Sequence, residues 1–474
     1  MKSMQKPIRT IVSAAVMVAM ANNVAHAGSF SLYTESSAAA IGNYAAGIAA
    51  EAADASTGWY NPAGLSLIHG QQAVSGLVGV FPSSKLSGVS TFSTQGFPGF
   101  VQTFHDQKGA KPGYVPSFHY ALPVGENTTF GLSMLAPFGL ATDWGRAGPL
   151  RYAATTSNLY TVNIAPEVGS QVTEHVAVGA GIDFQYAHVR FNTVLGSPAM
   201  LQAFGAPPMA LDSLSYNLGH SFGFGFHAGI MGLFNADHTR IGLNYQSQVR
   251  HRFTGYSYLK GRLADLTPVV TSPLDIIAAD PGARFYNNAL SSNNITLPDV
   301  VTLSGYQDVN ENLAVLGSVV YTGWKSLQSI ELQRVAAYAP VAGQVLVNST
   351  TTENYRNTWR FAVGANYHVN QQWMLRAGTG YDQTPTQYPE RDIRVPDSNR
   401  WAASVGAHYQ ARPSLGVDLG YTRLFSIGNS RINKTIIAGN TSTYNVSARN
   451  KSYADLVGVQ AVWTLDEPVP VDTK

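Results

Sequence analysis

From residue 71 to residue 465, apolar positions alternate with small or polar ones at a period of two. That is the repeat of a β-strand whose two faces meet different surroundings. In 176–188, Val176, Val178, Ala180, Ile182, Phe184 and Tyr186 share one face, and Ala177, Gly179, Gly181, Asp183, Gln185 and Ala187 share the other. In 358–368, Trp359, Phe361, Val363, Ala365 and Tyr367 stand against Thr358, Arg360, Ala362, Gly364, Asn366 and His368. Segments at 222–234, 373–382, 415–422 and 453–465 repeat the pattern, in runs near the length of a tilted membrane-crossing strand. In a soluble sandwich the polar face would meet water and carry charge. Here it is mostly Gly, Ser, Thr, Asn and Gln, and aromatic residues stand near the ends of several rows. An open sheet in lipid would leave its edges without hydrogen bonds, so the strands must close into a barrel.

The alternation predicts strands at 72–82, 113–124, 127–139, 159–173, 176–191, 219–234, 239–253, 297–309, 312–325, 356–368, 371–383, 399–411, 414–426 and 450–465. Fourteen is an even number, as single-chain bacterial barrels require. Tight connections such as Glu174-His175 and Asn370-Gln371 alternate strictly with long ones at 83–112, 140–158, 192–218, 254–296, 326–355, 384–398 and 427–449. Short periplasmic turns and long external loops give this asymmetry.

Ahead of the strands, 28–70 is rich in Ala and lacks alternation, which predicts short helices and turns closed by Tyr60-Asn61-Pro62-Ala63-Gly64. Ahead of that, Lys2, Lys6 and Arg9 precede an apolar run at 11–21 and then Ala25-His26-Ala27. Those are the three parts of a secretory signal, and the run is too short to span a bilayer. The expected organisation is a signal peptide at 1–27, an N-terminal unit at 28–70, a barrel at 71–465 and a tail at 466–474.

Composition agrees. Charged residues are 12% of the chain, where a soluble domain carries about a quarter. There are no cysteines, which excludes a disulfide scaffold. Removing 1–27 leaves 27 basic against 28 acidic residues, with no basic stretch that would track a nucleic acid. The 12 histidines show no metal-binding spacing, so neither a metal nor another cofactor is expected.

Several motifs carry a resemblance. They are Gly28-Ser29-Phe30, Asn61-Pro62-Ala63, the run from Leu135-Ala136-Pro137-Phe138-Gly139 to Asp143-Trp144, Leu297-Pro298-Asp299, Tyr321-Thr322-Gly323-Trp324, Gly380-Tyr381-Asp382 and Val395-Pro396-Asp397. In order and spacing the chain resembles the FadL-type outer-membrane transporters of long-chain fatty acids and other hydrophobic compounds, from Gly28 to about residue 465. The resemblance implies an all-β fold, a 14-stranded antiparallel transmembrane β-barrel with an N-terminal α-helical hatch inside the lumen. It implies passive import without enzymatic activity, across the outer membrane, with sideways exit through a kink in the third strand. It makes Asn61, Pro62 and Ala63 the hatch motif, although Asn-Pro also starts ordinary turns. It makes Ala136, Pro137, Phe138 and Gly139 the lateral gate. The physical cause is legible, because Pro137 removes a ladder donor inside the segment 127–139. The other reading is that Pro137 only ends the strand.

The resemblance also places two basic residues against a ligand carboxylate. The matching positions here are Thr193 and Thr351, with Arg190 and Arg356 nearby. Phe30, Arg190 and Arg356 are therefore the candidate ligand contacts. Either the arginines pair with a carboxylate, or the ligand is a neutral aromatic hydrocarbon, or both arginines are solvated. The expected partners are the hydrophobic ligand, outer-membrane lipid and the barrel-assembly machinery, with the chain a monomer. A general porin and a barrel-embedded lipase are the rival functions, the first lacking a plug and the second needing a Ser-His-Asn set that no motif marks.

Overall fold

The computed structural model describes residues 30–266, 278–340 and 342–466. The signal-peptide segment 1–27 lies outside the described residues, as does the tail beyond Asp466.

Fourteen antiparallel strands close on themselves. The first, Gln72–Thr94, pairs with the second, Gly113–Pro123, on one side and with the last, Ser442–Thr464, on the other. The fourth, fifth and sixth strands are Thr156–Thr173, Val176–Phe191 and Ser213–Phe234. The tenth to thirteenth are Thr358–His368, Trp373–Asp382, Asn399–Arg412 and Leu415–Ile427. The alternation has the expected cause: Phe222 and Phe224 are 72% and 69% exposed on the outer face, while Ser221 and His227 of the same strand are buried inside.

The long connections are less loop-like than the sequence predicts. The wall continues outward in hairpins. Phe100–Lys108 pairs with the first strand, and Ser329–Ala339 pairs with Gly343–Thr352. Arg284–Leu297 pairs with Val249–Lys260, and Arg431–Gly439 with the last strand. These hairpins stand outside lipid, so their outer faces carry no aliphatic row and the two-period signal is weak.

Residues 30–70 lie inside the barrel and are almost entirely buried. Their helices are shorter than expected. There are two 3₁₀ turns, Ala40–Asn43 and Pro62–Leu67, and one α-helical turn, Thr57–Tyr60. Left-handed backbone at Tyr44, Ala45, Gly47 and Ala52 breaks any longer helix. The hatch instead follows the wall. Asn61 accepts from Ala63 N (3.1 Å) and donates to the carbonyls of Ala49 (2.7 Å) and Ile230 (3.2 Å), joining the motif to the sixth strand. The wall is cut to receive it: a Cβ at Gly179 would collide with the Pro62 backbone, and one at Gly229 with Asn61 Oδ1. The small residues of the inner face are thus sockets for the plug.

Seams interrupt the ladder. The third strand comes in two pieces, Thr128–Leu135 and Gly139–Asp143. The second strand pairs with the first piece only, from Phe118 to Pro123. Register with the fourth strand slips by one residue across the break, from Leu135↔Asn163 to Gly139↔Tyr160. Between the sixth and seventh strands the ladder lapses at 221–225 opposite 248–253, where the seventh strand divides into Thr239–Gln246 and Val249–Lys260.

Candidate functional site

Pro137 and its neighbours cannot complete the ladder, and the hatch fills the vacancy from inside. Leu32 N donates to Pro137 O and Gly139 N donates to Phe30 O, both at 2.8 Å, with Ser31 opposite Phe138. On the other side Phe138 N donates to Thr161 Oγ1 at 3.0 Å. The start of the hatch is therefore a short extra strand laid on the broken segment.

This strip carries Phe30 into an aromatic cluster. Its ring centroid lies 4.7 Å from Trp324, 6.1 Å from Phe138 and 6.5 Å from Tyr355. Leu140, Leu159, Val189, Phe191, Phe253, Leu297, Leu327 and Val395 surround it, all buried. Such a chamber takes up an apolar chain or ring, at about 25 cal/mol per Å² of apolar surface removed from water.

Two cavities flank the strip. One is lined by Glu35, Trp324, Arg360, Asp382 and Arg400. The other reaches Pro137 and Phe138 and runs under Trp59 to Gln246 and Pro298. Ser31 and Tyr33 line both, so the strip is the partition between them.

The first cavity is charged. Arg360 donates to the Tyr44 carbonyl at 2.7 Å and sits 4.0 Å over the Tyr44 ring. Arg400 pairs with Asp382 at 2.9 Å and Asp397 at 3.9 Å. The Nε atoms of both arginines are buried without a hydrogen-bond partner, as is Glu35 Oε1. Glu35 belongs to the hatch, and burial pushes its carboxyl up to about 7 against the pull of Arg360 and Arg400. A third guanidinium, the half-buried Arg394, comes from the loop before the twelfth strand. It donates to Ser157 Oγ (2.8 Å) and Ala153 O (3.0 Å) and lies 5.5 Å over the Phe191 ring of the aromatic chamber.

Of the candidate ligand contacts, only Phe30 reaches the chamber. Arg190 shares parity with Ile182, Phe184 and Tyr186 on the outward face, so its side chain leaves the wall on the lipid side. Arg356 is exposed at the rim, tied through Nε to Thr384 O at 3.2 Å. Parity would have warned against Arg190, since the row at 176–188 already puts even positions outward. The same rule points to Arg360, which stands on the small and polar face of its own row.

The plug is held on every side. Ser318, Ser304, Thr422, Gln460, Arg240, Asn366 and Gln246 of the wall bond to hatch groups between Ile41 and Trp59. These eight bonds are worth about 4–12 kcal/mol together. The strip makes two backbone bonds to the third strand and one from the Tyr33 hydroxyl to Thr302 Oγ1 at 2.8 Å, about 1.5–4.5 kcal/mol together.

A family model, Outer membrane protein transport protein (OMPP1/FadL/TodX), matches residues 18–465. The Long-chain fatty acid transport protein of Salmonella typhi is 26% identical over 426 residues, covering 88% of this chain and 92% of the relative. Outer membrane protein P1 of Haemophilus influenzae is 28% identical over 447 residues, covering 89% and 90%. Among solved structures, a Pseudomonas aeruginosa FadL homologue superposes with a TM-score of 0.76 at 24% identity, covering 93% of this chain and 100% of that one. The Ralstonia pickettii toluene transporter gives 0.57 at 18% identity, covering 86% and 93%. With this match, the closed barrel and the plug, the chain belongs to the OMPP1/FadL/TodX family and is a FadL-type outer-membrane transporter of hydrophobic compounds.

Proposed function

We propose that the protein imports long-chain fatty acids, as a monomer, by binding the acyl chain in the aromatic chamber and releasing it sideways at the third strand. The observation that carries this reading is the shared partition. Ser31–Tyr33 separates the chamber side from the cavity at Pro137 and Phe138, and the strip is tied to the wall there by two backbone bonds and the Tyr33 hydroxyl on Thr302. Displacing the strip joins the cavities and uncovers the broken ladder in one motion. Arg360 and Arg400, rather than Arg190 and Arg356, supply the cationic end, because their buried Nε donors are unsatisfied and a buried carboxylate needs such a partner. The absence of charge at Thr193 and Thr351 favours a second reading, neutral aromatic hydrocarbons taken by the same route.

The chain has no cysteine, so a Ser31→Cys/Phe138→Cys pair makes a clean trap. The two positions face each other across an antiparallel bridge, a spacing that suits a disulfide. Oxidation should stop uptake of labelled oleate and reduction should restore it, with each single variant insensitive to redox. Full uptake by the oxidised double variant would rule out strip movement as the route.

A further inference from the structure

The outward side of the barrel carries a basic layer that the transport path does not use. On the fifth, sixth and seventh strands the outward positions hold His188, Arg190, His220, Arg250 and Arg252, and no acidic residue among the described ones. Register brings them together. Arg190 pairs with Leu218 and His188 with His220, and His220 in turn faces Thr254 on the seventh strand, two residues from Arg252. Continuing that register sets Arg252 opposite Phe222 and Arg250 opposite Phe224, so the spread is about 20 Å along the strands and 10 Å across them. None of the three arginines makes an ion pair among the described residues, and Arg190 Nε is out of solvent with no partner.

The layer is bounded on both sides. On its outer side lie Tyr216, Tyr258 and Tyr286, with Tyr216 and Tyr258 stacked at 4.7 Å. On its inner side lie Ile182 and Phe226, paired with each other and exposed to the apolar part of the membrane. It sits toward the end of the barrel with the long external hairpins. An arginine on the lipid face at the bilayer midplane is strongly disfavoured, and the cost vanishes at the interface. Three such residues without acids therefore mark the level of anionic headgroups.

We propose that this layer binds the phosphates of a bis-phosphorylated glycolipid of the outer leaflet, with Arg190, Arg250 and Arg252 as the phosphate contacts. Planar guanidinium groups suit phosphate oxygens. Two phosphates on one headgroup match a cluster wider than one phosphate can cover.

The test is native mass spectrometry of the delipidated barrel with three lipids: the bis-phosphorylated glycolipid, its dephosphorylated form, and phosphatidylglycerol. The parent should retain the first far better than the other two. Arg190→Gln/Arg250→Gln/Arg252→Gln should lose about a hundredfold in retention, roughly fivefold for each charge. The matching triple Lys variant should keep most of it. A heat-shift gel confirms that each variant is a folded barrel, and if the triple Gln variant fails this, the three single variants carry the test at about fivefold each. Equal retention by parent and Gln variants, or equal retention of the dephosphorylated lipid, would overturn the proposal. Equal retention of phosphatidylglycerol would overturn its glycolipid specificity.

Discussion

Gly139 donates its backbone N–H to the carbonyl of Phe30 at 2.8 Å. One residue belongs to the membrane wall and the other to the first described residue of the plug. The bond replaces one that the third strand cannot make with its neighbour in the sheet, so plug position and wall integrity are a single variable.

Restoring the wall should therefore slow transport. Pro137→Val supplies the missing donor and a residue suited to a strand. Oleate uptake by cells carrying this variant should fall several-fold, with the barrel melting no lower than the parent. Unchanged uptake would detach the break from the route.

Asn61 tests the anchoring of the plug. Asn61→Ala removes three hydrogen bonds, to Ala63, Ala49 and Ile230, at a cost of about 2–4 kcal/mol. The expected result is a lower thermal midpoint and faster proteolysis within 30–70. Residues Ser31–Tyr33 make none of those bonds, so ligand affinity should change little.

Glu35 gives the site a pH dependence with a defined sign. Its carboxyl is raised from 4.5 to about 7 by burial, so the folded state holds the proton more tightly than the unfolded one. Stability from this group is complete below about 4.5 and is lost as pH rises through about 7. Once ionised, Glu35 would also compete with the proposed ligand carboxylate for Arg360 and Arg400. Oleate affinity should thus weaken between pH 6 and 8, and Glu35→Gln should flatten the profile. A flat parent profile would contradict this.

The choice between acidic and neutral ligands turns on Arg360 and Arg400. Arg360→Gln or Arg400→Gln should weaken oleate binding about tenfold or more, the scale of a lost charge-assisted bond, and leave toluene binding nearly unchanged. Trp324→Ala should weaken both, since it removes ring contacts from the chamber. Equal losses for both ligands in the arginine variants would favour the neutral reading.

Strand positions inside the membrane were legible because lipid on one side and the plug on the other impose opposite demands on alternate residues. The external hairpins were not, because a segment such as Gly343–Thr352 has solvent on its outer face and no row of aliphatics to announce it. The hatch was legible as a unit but not as short turns, since its conformation is dictated by glycine sockets such as Gly179 and Gly229, which lie far away in sequence. Arg190 stands outside the chamber because its even-numbered position shares the outer face with Ile182 and Phe184. Glu35, Arg360 and Arg400 come from three distant segments, and only folding shows that they share a cavity.

The strip at Ser31–Tyr33 has a consequence for the cell as well as for the ligand. On the proposed route, a doorway into the membrane covered by the same peptide that closes the chamber would need no continuous water-filled bore at any stage. Hydrophobic compounds would then enter while ions and small polar toxins found nothing to flow through. Uptake should accordingly saturate with substrate and leave the electrical resistance of the membrane intact.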